Sequence, residues 1–239
     1  MKLRKAVLLI HGFAGGTYDI ESLAWRLQRC LLLDVYEFTL PGHGYKEKNL
    51  ATHKEWIKTA EEKVKTLIKY GYSDIYIVGH SMGGVIACYL ASKYKEVKKL
   101  VLAAPAFKYI AEKENFSLKK TSAIVNEYGF EELAYRFFSK LPASAIGEFI
   151  ELVKKYQQIP KNIDIPILII QGLKDEVVPI TSAEYVFDNV KSKEKGLLYL
   201  QKTTHNIFTG PQKGTTNIKI EKFLLHGKIS SDKEYIWLK

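Results

Sequence analysis

The chain has 239 residues, of which 46% are hydrophobic, and it carries a formal net charge of +10. This length fits one large α/β domain at least as well as two small ones, with enough apolar residues for a sizeable core. No apolar run approaches the roughly 20 residues that span a bilayer. The run at 6–10 is shorter than a signal-peptide core and has no cleavage site, so we expect a cytoplasmic protein without stable membrane insertion.

The positive charge is spread along lysine-rich helices and the C-terminal part, without a long block of like charge. A nucleic-acid partner would require a basic stripe in a recognisable module, and the sequence contains none. Solvated helix faces are therefore expected, with an acidic carrier or an anionic lipid surface as open alternatives. Cys30 and Cys88 have no framework spacing and are expected to be small core residues, although a disulfide between them stays open.

Short aliphatic or β-branched runs alternate with helical patterns along most of the chain. This alternation is typical of an α/β fold, in which helices cover both faces of a mainly parallel sheet. Right-handed crossovers are expected between successive strands. Six strands are predicted, at 5–10, 35–39, 75–78, 100–103, 166–170 and 197–200.

The helices between these strands have recognisable start signals. Apolar residues repeat at helical spacing from Ile20 to Leu27, and Thr52 with Glu55 forms the pattern of a capping box before a helix that ends near Gly71. Thr181 with Glu184 predicts a second capping box.

The alternation stops between Pro105 and Pro160, where aromatic-rich helical stretches lie around 117–128, 130–138 and 145–156. We predict a core domain made of 1–105 and 161–239, with 106–160 inserted as a helical cap. The alternative is that this segment only extends the core. The aromatic residues of the segment suggest an apolar acyl pocket: Phe107, Phe116, Tyr128, Phe130, Tyr135, Phe137 and Phe138.

Ser81 is the candidate nucleophile. It lies in Gly79-His80-Ser81-Met82-Gly83, a G-x-S-x-G motif between an apolar strand and a helix. In that context the motif makes a tight, strained turn that lifts the serine hydroxyl above the sheet. The motif alone is weak, and its position between strand and helix makes it informative.

A serine nucleophile needs a base, and the base needs an orienting carboxylate. His205 follows the last predicted strand and Asp175 follows the strand before it. The chain order serine, aspartate, histidine is the one expected for this type of fold. Glu176 is the local competitor of Asp175, and Asp164 is less favoured because it precedes the strand.

The oxyanion of an acyl-transfer reaction needs backbone N–H donors. Met82 is one candidate, as the residue after the nucleophile, and Phe13 is the other, in the glycine-rich loop after the first strand. Such a loop could instead hold a phosphate, but it matches neither a dinucleotide-binding nor a P-loop pattern.

These segments together resemble the α/β-hydrolase superfamily, and more narrowly its small bacterial carboxylesterases and monoacylglycerol lipases. The resemblance rests on His11-Gly12-Phe13, Pro41-Gly42-His43-Gly44, Gly79–Gly84, Gly172–Pro179 and Thr204-His205. It implies a Ser81–Asp175–His205 triad, an oxyanion hole at Phe13 and Met82, a structural role for His43, and hydrolysis of carboxylic esters without metal or cofactor.

Two features depart from the family pattern. Thr204 stands where a glycine commonly precedes the histidine, and the chain starts at the family's third strand, which implies a shortened sheet of six strands. The expected substrate is a small-molecule ester of short to medium acyl chain, with monoacylglycerols as one candidate. The alternatives are a thioesterase that uses the same triad on carrier-protein or coenzyme A thioesters, and a non-catalytic binding protein on the same fold.

Overall fold

The computed structural model describes residues 4–44, 51–108, 142–227 and 235–238. Its strands are β1 (Lys5–Ile10), β2 (Leu33–Phe38), β3 (Ile75–His80), β4 (Val97–Ala103), β5 (Ile167–Gly172), β6 (Lys195–Leu200) and β7 (Tyr235–Leu238). Its α-helices are α1 (Glu21–Gln28), α2 (His53–Lys69), α3 (Met82–Lys93), α4 (Ala143–Tyr156), α5 (Ile180–Asn189) and α6 (Lys213–His226). Short 3-10 helices cover Thr17–Asp19 and Ile159–Asn162.

The strands form one parallel sheet in the order β2-β1-β3-β4-β5-β6-β7. All six predicted strands are present, and the predicted α/β architecture is confirmed. The expected count of six is corrected to seven, because Tyr235–Leu238 pairs with β6 as an additional edge strand. This strand is only four residues long. Its apolar pattern is too short to be recognised as a strand in the sequence.

Both faces of the sheet are buried, as continuous apolar strands require. One face packs with α2, α3, α4 and α5, and the other packs with α1 and α6. Cys88 is fully buried in α3 and Cys30 is partly buried after α1, and both thiols are free. The expectation that Cys88 is a small core residue is therefore confirmed.

The predicted start of α2 is confirmed. The Glu55 amide donates to Thr52 Oγ1 at 3.3 Å, and Glu55 Oε2 accepts from the Thr52 amide at 2.7 Å. The second predicted capping box is wrong, because α5 begins at Ile180 with Pro179 as its N-cap residue. Thr181 therefore lies inside the helix.

The predicted helix at 145–156 is α4, and it packs against α2 and α3. Its Glu148 carboxylate accepts hydrogen bonds from the backbone N–H of His53 at 2.9 Å and from the His53 ring at 2.6 Å. The predicted helices around 117–128 and 130–138 lie outside the described residues, and the division into core and cap stays a prediction. Among the helices that the structure describes, none combines the length and apolar character needed to cross a membrane.

Candidate active site

Ser81 stands at the turn between β3 and α3. Its backbone has φ 53° and ψ −117°, a conformation that L-residues rarely adopt. The turn needs glycine on both sides, because a Cβ on Gly79 would lie 2.3 Å from the Gly83 carbonyl oxygen, and a Cβ on Gly83 would lie 2.4 Å from the Ile10 carbonyl oxygen. The two glycines thus allow strand, turn and helix to approach closely enough to project the serine side chain above the sheet.

The structure brings the three predicted side chains into one hydrogen-bonded line. His205 Nε2 lies 3.0 Å from Ser81 Oγ. His205 Nδ1 lies 3.0 Å from each oxygen of Asp175. Ser81, Asp175 and His205 are all buried, at 5%, 6% and 7% exposure, so the interactions are weakly screened by water. The arrangement allows His205 to accept the serine proton while Asp175 fixes the ring orientation.

Asp175 is held by more than its histidine. Its Oδ1 accepts hydrogen bonds from the amides of Val177 at 2.9 Å and Val178 at 2.8 Å, and Gln171 Nε2 donates to Oδ2 at 2.9 Å. Burial by itself raises the pKa of this carboxyl. The charge and hydrogen bond of His205 and the two amides outweigh burial, so the pKa lies below its ordinary value and Asp175 stays ionised.

Two side chains position the His205 loop. Glu176, the competitor considered for the acid role, accepts the backbone N–H of His205 at 3.1 Å rather than contacting its ring. His80 Nε2 lies 3.0 Å from the His205 carbonyl oxygen, and the two rings are 5.0 Å apart. Burial lowers the pKa of His80 to about 3, so its ring is neutral at neutral pH and donates through Nε2 to that carbonyl.

The sequence reasoning missed the contributions of His80 and Gln171. His80 is contained in the nucleophile motif, but nothing in its spacing indicates a contact 125 residues away along the chain. Gln171 is the polar residue at the end of an apolar strand and is fully buried. A polar residue at such a position is the signal that could have found it, since buried amides require partners.

The two candidate oxyanion donors come from two different parts of the chain. Met82 is the first residue of α3, where backbone N–H groups have no acceptor within the helix. Phe13 lies in the loop after β1 and lines the same pocket as Ser81. The loop is anchored by His11, which lies 2.7 Å from the Gly12 carbonyl oxygen through Nδ1 and accepts the Leu40 amide through Nε2 at 2.9 Å.

His43, expected to be structural, makes contacts with the residues around the loop after β1. Its Nδ1 is 3.0 Å from the Pro41 carbonyl oxygen, and its ring packs edge-on against Trp56 and Phe13. His43 therefore packs against Phe13, which lines the pocket.

The pocket in front of Ser81 is lined by both apolar and polar side chains. The Phe13 and Phe149 rings stack at 5.2 Å with an interplanar angle of 20°, and Val177 and Val178 continue this apolar surface. The polar lining comes from Tyr18, Asp19 and Asn206. Of the aromatic residues expected to form an acyl pocket, Phe107 is buried in the core, and the other six lie outside the described residues.

A sheet of this order, with a serine turn after β3 and partners on the loops after β5 and β6, defines an α/β hydrolase. The sequence profile of the alpha/beta hydrolase fold family matches residues 5–128, so the chain belongs to this family. A second profile, described as serine aminopeptidase, S33, matches residues 134–212.

Among individual proteins, the chain is similar to a thermostable monoacylglycerol lipase of Bacillus sp. strain H-257. The two are 27% identical over 212 residues, which cover 83% of this chain and 82% of the relative. It is also 25% identical to a carboxylesterase of Bacillus subtilis, over 92% of both chains. The crystal structure of Paleococcus ferrophilus monoacylglycerol lipase has the same fold, with a TM-score of 0.72, 17% identity and coverage of 93% and 95%.

Proposed function

We propose that the protein hydrolyses carboxylic esters through an acyl-enzyme on Ser81. The observation that carries the proposal is the line from Ser81 Oγ through His205 to Asp175, with a 3.0 Å contact on each side of the imidazole. The names of its relatives, a monoacylglycerol lipase and a carboxylesterase, support the ester as substrate.

In the proposed first step, His205 takes the proton of Ser81 as the oxygen attacks the ester carbonyl. The negative charge on the former carbonyl oxygen is stabilised by the backbone N–H groups of Phe13 and Met82. His205 then gives its proton to the leaving alcohol. Water repeats the sequence on the acyl-enzyme and releases the acid, which restores the Ser81 hydroxyl.

We infer that the acyl group is of short to medium length and that monoacylglycerols are among the substrates. The apolar surface of Phe13, Phe149, Val177 and Val178 beside Ser81 supports an aliphatic acyl group. A series of esters of increasing acyl length tests this part. Strong activity on cinnamoyl esters without activity on aliphatic ones would contradict it.

The first experiment is labelling with a fluorophosphonate probe and mapping of the modified residue by mass spectrometry. We expect the label on Ser81 alone, lost in Ser81→Ala and strongly reduced in His205→Ala, since either change removes the activated nucleophile. Ser92→Ala is the matched control, because Ser92 is an exposed serine in α3, the helix that follows Ser81. Ester turnover should fall at least about 10⁴-fold in both active-site variants, and the double variant should be no worse.

A folded wild-type protein that takes up no label would count against the proposal and favour the binding-protein alternative. The thioesterase alternative is separated by the substrate panel. Faster hydrolysis of acyl-coenzyme A than of oxygen esters, weakening with added salt, would point to an acidic carrier attracted by the net charge of +10.

A further inference from the structure

Asp19 is a carboxylate in the active-site pocket that the proposed reaction does not use. It ends the 3-10 helix Thr17–Asp19, in the connection from β1 to α1, and it lines the pocket together with Ser81 and His205. The side chain is half-buried. A carboxylate in such a place loses much of its contact with water, which has to be offset by hydrogen-bond donors.

The position of this carboxylate is fixed by the loop around it. Its Oδ2 accepts the backbone N–H of Gly16 at 3.1 Å. The absence of a side chain on Gly15 makes room for it, since a Cβ there would lie 1.9 Å from Oδ2. Among the described residues no hydrogen bond reaches the other oxygen, Oδ1. One oxygen therefore anchors the loop and the other is left as an acceptor.

Asp19 and His205 line the same pocket, and the charge of His205 acts on the Asp19 carboxyl. Burial raises the pKa of the Asp19 carboxyl above its ordinary value, and the Gly16 hydrogen bond and the charge of His205 only partly offset this effect. In the proposed reaction His205 gives its proton to the leaving alcohol. The interaction of Asp19 with His205 therefore bears on which part of the ester Asp19 can contact. Asn206, the residue after His205, also lines this pocket. An ester attacked by Ser81, whose alcohol takes its proton from His205, would share this pocket with Asp19.

We propose that Asp19 determines specificity by accepting a hydrogen bond from a hydroxyl group on the alcohol half of the ester. The site then favours esters of polyols such as glycerol over esters of simple alkanols. This inference rests on the ester hydrolysis proposed above. It concerns the alcohol rather than the acyl group, and it gives a role to a side chain outside the triad and the oxyanion hole.

The test compares two esters that differ only in hydroxyl groups: glycerol 1-monobutyrate and propyl butyrate. We expect the wild-type protein to have the higher kcat/KM on the glycerol ester. In Asp19→Asn the ratio of the two kcat/KM values should fall at least about 10-fold, the range for a hydrogen bond to a charged group. Activity on propyl butyrate should stay within about 3-fold, since that ester has no hydroxyl for Asp19 to bind.

Asparagine retains an oxygen that can accept the Gly16 N–H, so the loop keeps its anchor while the second acceptor is replaced by an NH₂ group. Asp19→Ser is the second variant, which shortens the side chain and removes both carboxylate oxygens. Glu21→Gln is the matched control: it removes an exposed carboxylate two residues away and should leave the ratio unchanged.

The possible failures are distinct. If the wild type hydrolyses neither ester, the proposed function falls and this inference with it. If both esters are hydrolysed and the ratio is the same in the wild type, Asp19→Asn and Asp19→Ser, only the inference is overturned. An equal loss on both esters would also overturn it, since that result indicates a structural role for Asp19 in the loop.

Discussion

At the scale of single residues, the site depends on the hydrogen-bond donors that surround the Asp175 carboxylate. Four groups donate to this carboxylate: the His205 ring, the Gln171 side chain and the amides of Val177 and Val178. Such a set stabilises the ionised form in a buried position, where an unpaired charge would be very costly. The same donors fix the direction of the carboxylate, so His205 is held with Nε2 toward Ser81.

Asp175→Asn tests this dependence. An amide side chain can donate to His205 Nδ1 and so favours the wrong tautomer, which leaves Nε2 protonated and unable to accept the Ser81 proton. We expect kcat to fall about 10⁴-fold with the fold retained, as measured by ester turnover and circular dichroism. Asp164→Asn, an exposed aspartate before β5, is the control. A comparable loss in the control, or a nearly active Asp175→Asn, would remove Asp175 from the proposed triad.

At the scale of elements, helices α3 and α4 show that a glycine inside a helix can have opposite effects on stability. Gly83 in α3 lies against the end of β1, whereas a Cβ on Gly147 in α4 would meet nothing within 4 Å. Glycine inside a helix costs stability relative to alanine through the entropy of the unfolded chain. In α4 that cost has no structural compensation. In α3 it is offset by the close approach of helix and strand behind Ser81.

Alanine substitution at the two positions should therefore change stability in opposite directions. Gly147→Ala should raise the free energy of unfolding by about 0.5–1 kcal/mol. Gly83→Ala should lower it by about 1–3 kcal/mol, since backbone must move to accommodate the methyl group. Urea denaturation of the two variants and the wild type measures both changes. A Gly83→Ala variant as stable as the wild type would contradict the packing argument at Gly83, and a destabilised Gly147→Ala variant would contradict the argument for α4.

The elements that could be predicted from sequence are those whose local pattern and tertiary environment agree. Several of the six predicted strands are continuous apolar runs, such as β1 and β5. Thr52 and Glu55 cap α2 through contacts three residues apart. Thr181 and Glu184 have the same spacing, but Pro179 starts α5 earlier. The order of Ser81, Asp175 and His205 could be predicted because each follows a strand. The hydrogen bonds of His80 and Gln171 depend on tertiary contacts, and the spacing of residues along the sequence does not predict such contacts.

At the scale of the whole molecule, two buried histidines link folding to pH. Burial lowers the pKa of His11 to about 4 and that of His80 to about 3, from an ordinary value of 6.5. Both rings are neutral in the folded protein at pH 5, whereas the unfolded chain binds protons there. Stability therefore rises with pH across this window and is lost as the pH falls from about 6.5 toward 4.

We expect the free energy of unfolding to decrease between pH 6.5 and 4.5, with each histidine contributing up to about 1.4 kcal/mol per pH unit. Urea titrations at pH 7, 5.5 and 4.5 measure the slope. His80→Gln should reduce the slope by one histidine's share, and His226→Gln, near the end of α6, is the control and should not. A stability that is flat down to pH 4.5 in the wild type would contradict the neutral state of both buried rings.

The two free cysteines should react with alkylating reagents at very different rates. Cys88 is fully buried in the helix that follows Ser81, and burial raises the pKa of its thiol. It should therefore be inert toward thiol reagents as long as that helix stays packed against the sheet. Cys30, partly exposed, reacts without such opening. The rate of the slow phase of alkylation therefore measures how often the helix after Ser81 opens. A ligand that stabilises the folded site should slow that phase without contacting either sulfur.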